Sequence, residues 1–485
     1  MSASKHARIM LITPPYHSGM VESAGSWLPL GLLYVGGALR KAGHEVVLYD
    51  AMTRFDTLEE VRSTVRRERP DAVFVSCITA TFPDGAEVCR VTKEECPETL
   101  TVVGNTHPTF MWKETLDQYP EVDVIVRGEG EVTSVDLMAA WTENAAFREV
   151  KGIAFRDENQ QPVATPTRPF MEDLDTAEPA WELVPWAEYS YRPKPGSTLA
   201  VVSSSRGCKQ QCSFCSQRLF WKEGWRAVSA HRFVDQLEHL RDSYGVDVVM
   251  LADEIPSFDR ERWQEILDLL IERRLGTSLL LETRVDDILR DAEILPRYRE
   301  AGVEHIYVGV ESVNQATLDL FKKDLKIEQS KRAIELINNC DMVSETSFVM
   351  GMPEETEEEM DRTIELSKYY DPDMAFFLAI TPWPYADLYP LVKDRIVTTD
   401  YRKYNLAEPV IEPFAMSIDQ VREKLFEGFR EFYTHKMRQI PTMPEWKREF
   451  MGSLMHLFMN HSYLKDQMAG LGHPPQILDS GSSNS

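Results

Sequence analysis

No apolar run in this 485-residue sequence approaches the ~20 residues that a membrane-crossing helix needs. The opening MSASKHARIMLITPP holds too short an apolar segment for an export signal, so a cytoplasmic location is the expectation. Positive charge is scarce: 53 Lys and Arg face 78 Asp and Glu, a formal net charge of −25. Nucleic acid and anionic membrane surfaces are therefore poor partners, because both attract clustered Lys and Arg. Seven cysteines, an odd number with three of them clustered, do not make a disulfide framework. Internal repeats and long low-complexity tracts are also missing.

What is present suffices for several packed cores. Hydrophobic residues make up 43% and aromatics 10%, and the length implies two or three domains. Over residues 1–148, short apolar runs (8–13, 45–50, 72–76, 101–104, 122–128) alternate with helical patterns near 30–42, 57–68, 84–95 and 131–142. This rhythm predicts an α/β, Rossmann-like (flavodoxin-like) parallel sheet with helices on both faces and a ligand crevice at the strands' carboxyl ends. Residues 149–198, rich in Pro and acidic residues, read as a linker. A second alternation over 199–394 has strand candidates at 199–204, 247–253, 278–284, 305–311, 346–351 and 374–381. Six strand–helix units predict a partial (β/α)6 barrel of the TIM type, with functional residues at the carboxyl ends of its strands. Residues 395–470 read as a helical region capping the substrate, and 471–485 as a disordered tail.

The stretch SSSRGCKQQCSFCSQRLFW (203–221) carries Cys208, Cys212 and Cys215 on the loop after the first barrel strand. Structural zinc takes four closed ligands, and the nearest histidine, His231, lies sixteen residues beyond Cys215. An iron–sulfur cluster also usually takes four thiolates. Three thiolates leave one iron open to a substrate or cofactor. The remaining cysteines, Cys77, Cys89, Cys96 and Cys340, fall in strand or helix patterns and read as inert thiols.

GCKQQCSFC on a first βα loop resembles the radical S-adenosylmethionine (radical SAM) superfamily. The resemblance implies a four-iron four-sulfur (4Fe-4S) cluster held by the three cysteines, with SAM on the open iron. It also implies SAM contacts at Phe214 between the second and third cysteines, Asp253 and Glu254 in LADE, Arg284 in ETR, Glu311 in GVES and Gly351 in FVMG. Each charged residue taken alone would read as an ion-pair member. The acidic run EETEEEMD (354–361) reads as the start of a helix and nothing more.

An open α/β domain ahead of such a barrel resembles the cobalamin-binding subclass. GNTHPTF (104–110) resembles its glycine-rich turn, with Asn105 where a second glycine is usual. The cobalt-ligating Asp-x-His-x-x-Gly signature is missing, since Met52 follows Asp50 where His would stand. The implied cobalamin contacts are Tyr16, His17, Ser18, Trp27, Asp50, Ser76, Gly104, Asn105, His107 and Gly128.

PPYHSGMVESAGSW, LADE, TRVDDILRD and TPWPYADL further resemble the anaerobic magnesium-protoporphyrin IX monomethyl ester oxidative cyclase family and its methyltransferase relatives. The resemblance implies a cobalamin-dependent C-methyltransferase acting on a pyrrole-type, tetrapyrrole or other aromatic intermediate, with oxidative cyclisation as the alternative. It also implies an electron donor such as flavodoxin or ferredoxin. Trp383 and Tyr385, and the aromatics of FREFY (429–433), would suit a flat substrate ring; core packing is the other reading of these side chains. A cobalamin-binding sensor is the non-enzymatic alternative, against which Glu254, Arg284 and Glu311 speak, because a sensor needs no SAM site.

Overall fold

The computed structural model of the chain describes residues 6–18 and 24–461. Strands β1 (Arg8–Thr13), β2 (Glu45–Asp50), β3 (Ala72–Ser76), β4 (Leu100–Gly104) and β5 (Val124–Val126) lie parallel in the order β2-β1-β3-β4-β5. Their Val, Ile and Leu runs are buried on both faces by the helices Leu30–Lys41, Leu58–Glu68, Phe82–Glu95 and Glu131–Thr142. The strand order reverses between β1 and β3, which opens a crevice at their carboxyl ends.

The stretch read as a linker does more than connect. It starts with β6 (Ile153–Arg156) and β7 (Pro162–Ala164), which extend the first sheet antiparallel from β5. Both strands are short, and Pro162 is tolerated because it is the first residue of an edge strand, where no ladder hydrogen bond is needed.

The second sheet begins with β8 (Leu199–Val202), after which β9 (Ser205–Arg206) and β10 (Arg226–Ala227) form a small antiparallel ribbon around the cysteine loop. Strands β11 (Val248–Leu251), β12 (Ser278–Arg284), β13 (Val303–Gly309), β14 (Val343–Met350) and β15 (Met374–Ala379) follow, all parallel in the order β8-β11-β12-β13-β14-β15. The amino-terminal end of this open barrel is plugged by Tyr191, Leu199, Val248 and Leu280, with Trp27 and Phe450 packed on them.

The carboxyl-terminal helices correct an expectation. The helix Ile418–Gln439 covers the edge strand β15, with Phe429, Phe432 and Tyr433 buried against Phe376 and Phe377. FREFY is therefore core, and the Tyr433 hydroxyl donates to the Ala375 carbonyl. The helix Glu445–His461 lies across the amino-terminal ends of the strands, where Lys447 pairs with Asp373 at 2.5 Å and the Trp446 indole donates to Asp341. Only the first turn of Ile418–Gln439 reaches the mouth, where Val421 meets Gly351, and residues 396–411 share an apolar cluster with Phe214 and Phe321. An unclosed barrel leaves an apolar edge strand, and the nearest amphipathic helix is used to cover it. The tail read as disordered lies outside the described residues. No described helix is long and apolar enough to cross a membrane.

A buried ion cluster joins the two sheets. The Arg206 guanidinium, beside the cysteine loop, pairs with Glu129 at 2.9 Å and Glu131 at 2.7 Å, both in the loop and helix start after β5. Arg226 pairs with the same Glu129 carboxylate at 2.9 Å, which also accepts from the Met171 N–H. The Tyr34 ring lies 4.5 Å from the Arg206 guanidinium carbon. Removing one partner of a buried pair strands the other, at a cost of about 3–5 kcal/mol. Glu129→Gln, which keeps shape and hydrogen-bond acceptance but loses the charge, should lower the denaturation midpoint nearly as much as Glu129→Ala; a Glu129→Gln protein that melts like the wild type would contradict a charge-dependent joint.

Candidate active site

Gly207 positions the cysteine loop. Its φ of +99° is a glycine conformation, and a Cβ there would stand 2.2 Å from the Gly224 carbonyl oxygen. Its N–H donates to Glu254 at 2.9 Å, and the Trp221 indole donates to the same carboxylate at 2.7 Å. Glu254, at the end of β11, thus ties both sides of the loop together. Burial raises its carboxyl above the ordinary range, although these two donors pull it back.

Cys208, Cys212 and Cys215 lie close enough together to interact electrostatically. Burial pushes the Cys208 thiol up to about 11, while the Arg284 guanidinium, beside both Cys208 and Cys212, opposes that rise. Metal binding must remove these thiol protons, and Arg284 offsets part of the resulting charge. Among the described residues no three Cys, His, Asp or Glu side chains converge on a single-ion site. The three thiols beside Arg284 are soft sulfur donors of the kind an iron–sulfur cluster takes.

The other expected SAM residues ring the barrel mouth, with one exception. Arg284 ends β12, where its side chain donates to Asp286 and the Lys323 carbonyl. Glu311, just past β13, has a φ of +65° and accepts from Lys323 Nζ at 2.6 Å. Phe214 packs edge-on against Phe321. Gly351, at φ +91°, follows β14, and its N–H donates to Glu355 at 2.6 Å. Glu355 belongs to the acidic run read as a helix start alone; burial pushes its carboxyl up to about 7 while it holds the turn. Asp253 is the exception. Next to Glu254 but on the opposite side of the chain, it is fully buried and accepts from the Ser204 N–H and the Ser204 and Ser205 hydroxyls. It braces the first strand's end and has no free face for a ligand.

Across from the loop lies a cavity of about 350 Å³ lined by both domains. Ser76, Gly104, Asn105 and Gly128 contribute from the sheet, and Ser203, Ser205, Trp221 and Glu254 from the barrel. Small residues at the strand ends keep this space open, which fits a corrinoid lying against the sheet. Asn105 has φ 84° and ψ −166°, a region nearly restricted to glycine. Its amide donates to Ser76 at 3.0 Å, so a side chain stands where the related turns have none.

Tyr16, His17, Ser18, Trp27, Asp50 and His107 do not line this cavity. Asp50 is buried and accepts from Thr13, Thr53 and Tyr189. The Tyr16 hydroxyl donates to Arg402, and His17 stacks on Phe55 at 4.3 Å. Trp27 belongs to the barrel plug. His107 is buried between Phe82, Tyr385 and Tyr401, and burial pushes it down to about 3, so it stays neutral. Tyr385 stacks on Phe110 at 4.6 Å and shares a hydrogen bond with Thr79, which makes it a domain-joining residue; Trp383 packs near Phe214. The sequence reading missed Glu129, Glu131, Arg206, Trp221 and Lys323. Their only signal was charge and aromaticity beside strand ends, which many surface residues share.

Residues 16–138 match the B12 binding domain model and residues 202–367 the radical SAM superfamily model. The chain is 35% identical, over 94% of its length, to the anaerobic magnesium-protoporphyrin IX monomethyl ester cyclase of Rubrivivax gelatinosus, of which it covers 83%. It is 28% identical to an uncharacterized methyltransferase of Pyrococcus horikoshii, over 88% of this chain and 93% of that one. Its fold is similar to that of the radical SAM methyltransferase TsrM from Kitasatospora setae, solved with cobalamin and a 4Fe-4S cluster, with a TM-score of 0.70 at 14% identity over 96% of this chain and all of that one.

Two substitutions test the geometry. Gly207→Ala should lose most of its iron after anaerobic reconstitution, because two backbones must part to admit the methyl group; wild-type iron content would refute the loop's dependence on glycine. Asn105→Gly should be more stable than Asn105→Ala by about 1–3 kcal/mol, the strain of a side chain in that conformation; equal denaturation midpoints would show the position unstrained.

Proposed function

The chain belongs to the cobalamin-binding radical SAM enzymes that include the anaerobic magnesium-protoporphyrin IX monomethyl ester cyclases, and from that membership we propose that it is a C-methyltransferase acting on a pyrrole-type, tetrapyrrole or other aromatic biosynthetic intermediate. The observation that carries the reading is the shared cavity. Strand ends of the B12-binding sheet and the residues flanking the cysteine loop line one space. When bound, the cluster, SAM and cobalamin supply hydrogen abstraction from carbon and methyl delivery.

The chain's own residues do the positioning. Cys208, Cys212 and Cys215 would hold the cluster, and Arg284 would balance thiolate charge and meet the SAM carboxylate. Glu254 would fix the loop through Gly207 and face the SAM amino group. Glu311, held by Lys323, would take the ribose hydroxyls, and Gly351, held by Glu355, would let backbone approach the adenine. Ser76, Gly104, Asn105 and Gly128 would carry cobalamin. His107 is no candidate for the lower cobalt ligand in this arrangement, since its ring is enclosed by aromatics and its Nδ1 lies 3.3 Å from the Thr79 hydroxyl. An external one-electron donor such as flavodoxin or ferredoxin is part of the reading.

The 35% identity to a cyclase favours oxidative ring closure as a second reading. Both are decided by one anaerobic experiment with methyl-deuterated SAM, hydroxocobalamin, a reductant and candidate pyrroles and porphyrins. Deuterated methyl on the substrate with S-adenosylhomocysteine supports methyl transfer; deoxyadenosine with oxygen gained from labelled water supports the cyclase. Cys208→Ala, Cys212→Ala and Cys215→Ala should each abolish deoxyadenosine formation, and its survival in any of them would sink the cluster assignment. The cobalamin-loaded protein should lack the spectrum of a histidine-ligated cobalt.

A further inference from the structure

The barrel interior changes character along its axis. Above the aromatic plug, β12, β13 and β14 present Glu282, Tyr307 and Glu345 in register, Glu282 beside Tyr307 and Tyr307 beside Glu345. Strand alternation puts Glu282 on the inner face with Leu280 of the plug and Arg284 of the mouth, while Leu279 and Leu281 pack into the helical shell. Leu281 and Thr283 on either side are buried, yet Glu282 is open to water. Its carboxylate therefore stands in open space inside the barrel, surrounded by protein.

The acidic groups facing it are partnered. Glu345 lies 2.6 Å from His305 Nε2, Glu311 pairs with Lys323, and Glu254 accepts from Gly207 and Trp221. The Tyr307 hydroxyl is shared with Ser347, and Arg284 is taken by Asp286. Among the described residues Glu282 makes no hydrogen bond or ion pair. The protein enclosing this space, together with the charges of Glu345, Glu254 and Glu311, pushes its carboxyl up to about 7. A second carboxylate brought into this space would meet four carboxyl groups and no unpaired cation, whereas a nitrogen donor would relieve the repulsion.

Building on the radical SAM reading above, we propose that Glu282 is a specificity-determining residue: it recognises a hydrogen-bond-donating nitrogen, neutral or protonated, on the part of the substrate that enters the barrel. The same carboxylate excludes anionic groups from that space. Carboxylate side chains of a substrate, where it has them, then lie outside the barrel.

The test is equilibrium binding without turnover, so its answer stands apart from whether methyl transfer occurs. Protein loaded with cluster and cobalamin is titrated calorimetrically at pH 7 with tryptamine and with indole-3-acetate, which share a ring and differ in charge. Tryptamine should bind at least tenfold more tightly. A carboxyl titrating near 7 is half protonated at that pH, so tryptamine binding should release roughly half a proton, read from buffers of different ionisation heat. Glu282→Gln should lower tryptamine affinity tenfold or more, abolish the proton release and leave indole-3-acetate no weaker. Equal affinities, no tryptamine binding, or a preference unchanged in Glu282→Gln overturns the proposal. Should Glu282→Gln fail to load its cofactors, the wild-type affinity ratio and proton release decide it alone.

Discussion

The pairing of Arg206 with Glu129 and Glu131 is the interaction on which the rest of the site depends. Arg206 stands one residue before Gly207 and two before Cys208, so the end of the cysteine loop is fixed to the other domain by charge. Burial alone would weaken the guanidinium's hold on its proton, but the neighbouring carboxylates more than compensate. The pair is therefore charged when enclosed, and each partner is costly to leave alone. One consequence is geometric: the strand ends of the sheet and the mouth of the barrel face the same cavity at a fixed separation.

The mouth itself is assembled by second-hand contacts. Glu254 acts on the cysteine loop through a glycine N–H and an indole, Glu355 acts on Gly351 through backbone donors, and Lys323 holds Glu311 in a left-handed conformation. A left-handed glutamate is costly for a non-glycine residue and persists because surrounding contacts outweigh the strain. The barrel below is polarised, apolar at its amino-terminal end and acidic in the middle. That gradient, and not the plug, governs what can enter.

Much of this was legible in residue order. The Val- and Ile-rich runs and intervening amphipathic periods gave the parallel strands of both sheets to within a few residues, because buried parallel strands leave a strong apolar signal, but not the short antiparallel β6 and β7. The C-x-x-x-C-x-x-C spacing marked its own loop, since few structures need three thiolates so close. Less was legible where the side chain's direction decides. Asp253 and Glu254 are neighbours in sequence and equal in charge, yet one is locked into the wall and the other faces the loop. FREFY and TPWPY looked alike as aromatic patches; the first became core and the second divides between the domain joint and the neighbourhood of Phe214.

Local chemistry and periodicity thus determined the two α/β units, their order and the thiolate motif, because each is written in spacings of a few residues. Only the tertiary structure decided which acidic residues act and which merely support. It seated the carboxyl-terminal helices on an exposed strand edge and beneath the barrel, where apolar surface was uncovered. It also left Glu282 without a partner inside a ring of satisfied carboxylates. Partners hundreds of residues apart in sequence meet only when the chain has closed, and a charge's role is set by what it meets.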